Sequence, residues 1–141
     1  QAASAFDGEG ARLYGGRWNS VGVPMVYGSQ HLSLATLELR VHIEKTSMAL
    51  PYTCFAFHFD ERLLRRFPKE KLPKNWRELP APPSVQALGD AWVRKGESAL
   101  LAVPSTIIES EMNLLINPRH TDFPKIRIGK PTEFWFDARL F

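Results

Sequence analysis

The chain has 141 residues, a formal net charge of +3 and a pI of about 9.2. That length fits one domain with a core of its own, and 44% hydrophobic against 23% charged residues is ordinary for a globular protein. The single cysteine, Cys54, excludes an internal disulfide and fits a reducing cytosol; no apolar run is long enough to span a membrane, and the start Gln1-Ala2-Ala3-Ser4 lacks the features of a secretory signal.

Residues 1–16 are small and glycine-rich and read as loop. Gly8-Glu9-Gly10-Ala11 imitates the opening of a GxGxxG fingerprint, but no strand precedes it and no βαβ unit surrounds it. Gly15-Gly16-Arg17-Trp18-Asn19 is more informative. Glycine lets a ligand approach the main chain, arginine offers a planar fork of donors to an anion, and the adjacent aromatic can stack on a flat ring. The plainer alternative is a turn feeding a strand, with Trp18 in the core and Arg17 at its rim.

Pro24-Met25-Val26-Tyr27-Gly28 reads as a short strand, followed by Ser29. Ser33 is expected to cap a helix over about 33–45, with Leu34, Leu37 and Val41 on one face and Glu38 and His42 pointing the same way. Tyr52 to Phe59 is the clearest strand, with Phe55, Phe57 and Phe59 alternating onto one face. Arg62, Arg65, Arg66, Lys69, Lys71 and Lys74 form a basic cluster, read as a solvated face.

Five prolines between Pro68 and Pro83 make that stretch a surface connection. Ser84 is expected to cap a helix carrying Val85, Leu88, Trp92 and Val93 and ended by Gly96. Gly89 inside it costs about 1 kcal/mol relative to alanine, so another part of the chain should pack closely there. Ser98 to Val103 reads as a buried strand. Lys125 to Ile128 and Glu133 to Phe136 alternate like two late strands paired with each other. The mixed order of elements points to an α+β fold, with a twisted, mostly antiparallel sheet and flanking helices.

Three places set polar groups among apolar ones: Arg17 with Tyr27; Glu38 between Leu37 and Leu39; and Ser105, with Glu109, Glu111, Asn113, Asn117 and His120 downstream. A glutamate in such a setting needs a partner, and Arg17 is one candidate for a structural ion pair. His31, His42, His58 and His120 show no metal-ligand spacing, so no metal site is expected.

Taken in order, Gly15 to Asn19, Val26 to Ser29, Leu34-Ala35-Thr36-Leu37-Glu38-Leu39-Arg40-Val41-His42, Ala87 to Trp92, Val103-Pro104-Ser105, Asn113 to His120 and Phe136 to Leu140 resemble the RES domain, the toxin half of RES–Xre toxin–antitoxin pairs. The resemblance covers about residues 6–140, so a single RES domain over 1–141 is expected. Family members generally carry a further strand, with its own arginine, ahead of the position matching Gln1; the domain is therefore expected to begin after that strand. The resemblance implies an ADP-ribosyltransferase-like fold and an enzyme that degrades NAD+ in the cytoplasm. The catalytic roles fall on Arg17, Glu38 and Ser105. Substrate contacts are expected from Gly16, Arg17, Trp18, Asn19, Tyr27, Ser29 and Asn117. NAD+ is expected as substrate, with no prosthetic group, and an Xre-type antitoxin as partner. A homodimer is compatible with the chain, whereas membrane and direct nucleic-acid contacts are not expected.

Breaking the nicotinamide–ribose bond passes through an oxocarbenium-like state, and nicotinamide leaves without needing a proton. One carboxylate, Glu38, then suffices to steady the developing positive charge. Arg17 would hold the pyrophosphate, Tyr27 would stack on or shape the nicotinamide pocket, and Ser105 would orient the ribose or the glutamate. The acceptor is open among water, phosphate and a protein side chain; the last would make this a mono-ADP-ribosyltransferase. An alternative of another class is a non-catalytic module whose Arg17 patch binds nucleic acid or an acidic protein.

Overall fold

The computed structural model describes residues 2–140. Its frame is a four-stranded sheet built from β1 (Val26–Ser29), β4 (Leu64–Arg66), β5 (Leu100–Pro104) and β6 (Met112–Ile116), in the order β1-β6-β5-β4. β1 pairs antiparallel with β6 and β6 with β5, while β4 joins β5 in parallel. This is the mostly antiparallel α+β arrangement expected.

Alternation along the strands sends neighbouring residues to opposite faces. One face carries Leu101, Val103 and Leu115, packed with Trp18, Met25, Val85 and Trp92 under α4 (Pro83–Lys95). The other carries Val26, Leu100 and Ile116, packed with Phe6, Ala99 and Ile126 and with Phe55, Phe57 and Phe59 around them. β5 is buried along its whole length because it has a core on each side.

Several elements depart from the sequence reading. Residues 1–16 are not all loop: α1 (Ala2–Ala5) and α2 (Glu9–Tyr14) are short helices. Too short to stand alone, α2 is held by tertiary contacts such as Ala11 against the α4 core. The helix α3 runs Leu32–Arg40 with His31, not Ser33, at its N-cap. It stops early because its last turn tightens: His42 N bonds to Leu39 O, and the His42 ring donates from Nδ1 to the Glu38 carbonyl at 2.7 Å. Leu34 is buried, but Leu37 and Val41 are exposed, so the apolar stripe is only partly covered. Ser84 lies inside the first turn of α4 rather than capping it; Pro82 is the cap, and Pro83 takes the first helical position, where no N–H is needed.

The expected strand Tyr52–Phe59 divides into β2 (Tyr52–Cys54) and β3 (Phe57–His58), and the late strands pair with these rather than with each other. β7 (Arg127–Ile128) pairs with β3 and β8 (Thr132–Phe134) with β2, both antiparallel. Phe55-Ala56 stands opposite Gly129-Lys130-Pro131, two residues against three. The ribbon is therefore interrupted by a bulge, and Pro131 has no N–H to continue the ladder. Two strands were absent from the sequence reading altogether. β4 lies within the basic cluster, and β6 is one of the two central strands of the sheet. No helix among the described residues is long and apolar enough to cross a membrane.

Candidate active site

The face that packs on α4 ends in polar residues. Ser29 on β1 lies opposite Asn113 on β6, which in turn lies opposite Val103 on β5; Ser105 follows Val103 on the same face. Glu38, in the last turn of α3, reaches over this edge. Its Oε1 accepts from Ser105 Oγ at 2.8 Å and from Asn113 Nδ2 at 2.9 Å. Asn113 is itself oriented, because its Oδ1 accepts from Ser29 Oγ at 2.7 Å and so turns the amide nitrogen toward the carboxylate. Ser105 is fully buried, and its Oγ also accepts from Ile107 N and Ile108 N at 3.0 and 3.1 Å. Both side-chain donors go to Oε1, and no hydrogen bond among the described residues reaches Oε2. The carboxylate is half-buried and aimed, and its second oxygen is left without a hydrogen bond among the described residues. Such a group can steady positive charge developing on a bound molecule without reorganising first.

Arg17 sits on a turn whose shape depends on the residues before and after it. Gly15 has φ 74°, a left-handed value that suits glycine. A Cβ on Gly16 would lie 2.6 Å from the Tyr27 hydroxyl and 2.8 Å from Asn19 Oδ1, so only glycine fits there. Arg17 does not pair with Glu38 as one sequence reading allowed. Its Nη1 donates to the carbonyls of Trp76 and Glu78, at 2.9 and 3.0 Å. Burial pulls the guanidinium below its usual pKa, while the negative charge of Glu38 pulls in the opposite direction. The Nε and Nη2 edge carries no hydrogen bond among the described residues and can take an anion by a two-point contact.

Trp18 and Asn19 are scaffold, not lining. The Trp18 indole is 3% exposed and meets Phe67 edge-on, leaving no face for a ligand. Asn19 is fully buried, and its Nδ2 donates to the carbonyls of Ala11, Ser20 and Val23. Asn117 lies one residue past the far end of β6, where its Oδ1 caps Arg119 N and it borders a shallow pocket with Gly96, Arg119 and His120. The asparagine brought to Glu38 is Asn113. The signal was in the sequence: Asn113 and Asn117 bracket an apolar triplet, Leu114-Leu115-Ile116, and a strand there puts only the first at the Ser105 end.

Tyr27 joins the two halves of the site. Tyr27 is 40% exposed, beside Ser29, while its hydroxyl is held inside, donating to Asn19 Oδ1 and accepting from Trp18 N at 3.0 Å. Burial, foremost, pushes the phenol well above its ordinary pKa, so Tyr27 stays protonated and does not act as a base near neutrality. Tyr27→Phe keeps the ring but orphans Trp18 N–H and Asn19 Oδ1. The expected loss is about 1–3 kcal/mol of stability, read by urea denaturation. An unchanged midpoint would mean that the hydroxyl does not hold the turn.

The model of the family described as "RES domain" matches residues 1–137. The chain is 38% identical over 139 residues to a protein of Yersinia enterocolitica named "Toxin Res", covering 98% of this chain and 91% of that one. It is 35% identical to a Sphingobium protein named "Prs ADP-ribosylating toxin", over 98% and 88% of the two chains. Among solved structures it resembles a chain of the M. tuberculosis MbcT–MbcA toxin–antitoxin complex, with a TM-score of 0.73 at 18% identity, covering 92% of this chain and 76% of that one.

Proposed function

Because the chain belongs to the RES domain family, we propose that it is the toxin of a toxin–antitoxin pair and acts by cleaving the nicotinamide–ribose bond of NAD+. The observation that carries this reading is the carboxylate of Glu38, held through Oε1 by Ser105 and Asn113 while Oε2 has no hydrogen-bond partner among the described residues. In the reaction the C–N bond breaks and both electrons go to the pyridinium nitrogen, so nicotinamide departs as a neutral ring. Positive charge is left on the ribose C1′ and its ring oxygen. Glu38 lowers the energy of that charge, by about 3–4 kcal/mol for a preorganised group. Arg17 holds the pyrophosphate through its open edge, and the partly exposed Tyr27 stacks on a ring. Ser105 and Asn113 keep the carboxylate in place. The partner on this reading is an antitoxin of the Xre type, acting in the cytoplasm.

An acceptor oxygen then bonds to C1′ and gives up its proton. Water yields ADP-ribose, phosphate yields ADP-ribose phosphate, and a protein side chain yields an ADP-ribosylated protein. The Sphingobium relative's name favours the last as the second reading. Mass analysis of products made from NAD+ in phosphate-containing and phosphate-free buffer separates them. A product heavier by one phosphate, only in phosphate buffer, identifies phosphorolysis. Free ADP-ribose in both buffers identifies hydrolysis. Nicotinamide release only when a cell extract is added identifies a macromolecular acceptor.

A further inference from the structure

The proline-rich segment between β4 and α4 reads as a surface connection, yet it touches both arms of the site. Trp76 packs its indole against the α4 core. Its carbonyl and that of Glu78 take both hydrogens of Arg17 Nη1. The residue between those carbonyls, Arg77, points the other way. Its Nη2 donates to Thr106 O at 2.7 Å, its Nη1 to Glu109 Oε1 at 3.2 Å, and its guanidinium carbon lies 5.9 Å from the centre of the Trp76 ring. Thr106 follows Ser105 directly, and the next two amides, of Ile107 and Ile108, are held by Ser105 Oγ. A second, longer link runs from Lys69 Nζ to Glu109 O at 3.5 Å.

We propose that Arg77 is a positioning residue that fixes the anion-holding arm, Arg17, relative to the loop that orients Glu38. The carbonyls on either side of Arg77 set Arg17, and its guanidinium sets the chain next to Ser105. Freeing Arg77 releases the segment from the 105–109 loop and lets both arms drift at once. Its Glu109 contact is a half-exposed ion pair that contributes little to global stability. The bond to the Thr106 carbonyl is charge-assisted and directional, and it fixes geometry. The inference rests on the reading of Arg17 and Glu38 given above, but the coupling itself is measurable without turnover.

Two readouts test it on Arg77→Ala, with Arg77→Lys as the conservative variant. The first is amide exchange followed by NMR at Ile107 and Ile108 on one arm and at Gly16 and Trp18 on the other. Both pairs should exchange faster in the alanine variant, by about tenfold, while Leu101 and Val103 in β5 stay as in wild type. Faster exchange at the loop alone, or at neither arm, overturns the proposal. The second is nicotinamide release: kcat/KM should fall about tenfold with KM rising and kcat falling, because both anion holding and carboxylate aim are disturbed. Lysine should recover part of the loss, since one ammonium reaches Thr106 O but cannot hold Glu109 as well. If wild type releases no nicotinamide but exchange is coupled, the coupling stands and the NAD+ reading fails. An alanine variant with wild-type kcat and KM and wild-type exchange removes Arg77 from the site.

Discussion

On the proposed reading, Glu38→Ala is expected to end nicotinamide release while leaving the fold intact. The substitution deletes the carboxylate that Ser105 and Asn113 aim, and with it electrostatic help worth about 10²–10³-fold or more in turnover. The fold survives because Glu38 is on the half-exposed side of a short helix in which alanine is the best former. Ser105 keeps the amides of Ile107 and Ile108 as partners, and Asn113 keeps Ser29, while the Ser105 hydroxyl and Asn113 amide hydrogens lose their acceptor at a cost of about 1–3 kcal/mol, which the fold withstands. Glu38→Gln refines the result. A glutamine oxygen still accepts both hydrogen bonds but carries no charge, so it should be nearly as inactive as alanine if charge is what matters. Released nicotinamide, separated by chromatography from reactions matched for folded protein by circular dichroism, gives the answer. A Gln variant with a tenth or more of wild-type turnover would leave Glu38 as a hydrogen-bonding residue and place the charge stabilisation elsewhere.

Gly89→Ala should unfold the protein at temperatures the wild type tolerates. In an exposed helix this exchange adds about 1 kcal/mol of stability. Here the sign reverses. A Cβ on Gly89 would lie 1.7 Å from the Trp18 carbonyl oxygen and 2.7 Å from its carbon, and neither backbone atom can swing aside. α4 must lift from the Gly16–Asn19 turn or the turn must leave the sheet, at a cost of about 3 kcal/mol or more, equivalent to a drop in Tm of roughly 10 °C. Because Trp18 adjoins Arg17, turnover should fall as well, even well below the melting temperature. An alanine variant as stable as wild type in a thermal scan would show that the helix and the turn are not in this contact.

Gly89 illustrates what could be read from the residues alone. A glycine among Val85, Leu88, Trp92 and Val93 breaks helix propensity for a reason, and the close neighbour it implies is the Trp18 backbone. Trp18 itself split between two readings, a ring-stacking residue or a core residue, and burial settles it as core. Other features were hidden for identifiable reasons. β6 passed unread because Glu109, Glu111 and Asn113 make its approach look like loop, so Asn113 was not matched with Glu38. The charged residues that hide β4 are those that suit an edge strand, where arginine blunts unwanted pairing. The bulge at Gly129–Pro131 has no periodic signature, since it is a mismatch between two strands and not a property of either. Arg77 lay in a proline-rich stretch whose local composition says only that it is irregular, and its contacts with Thr106 and Glu109 exist only in the folded chain.

Glu38 meets Ser105 and Asn113 across 67 and 75 residues of chain. A ribosome makes Glu38 early and adds the two groups that aim it only seconds later, at about 5–20 residues per second. Until Asn113 has left the exit tunnel, the carboxylate is an ordinary solvated glutamate. If Glu38 acts as proposed, a prematurely terminated or half-made chain is inert, and during vectorial synthesis the cell making this protein is not exposed to its finished site.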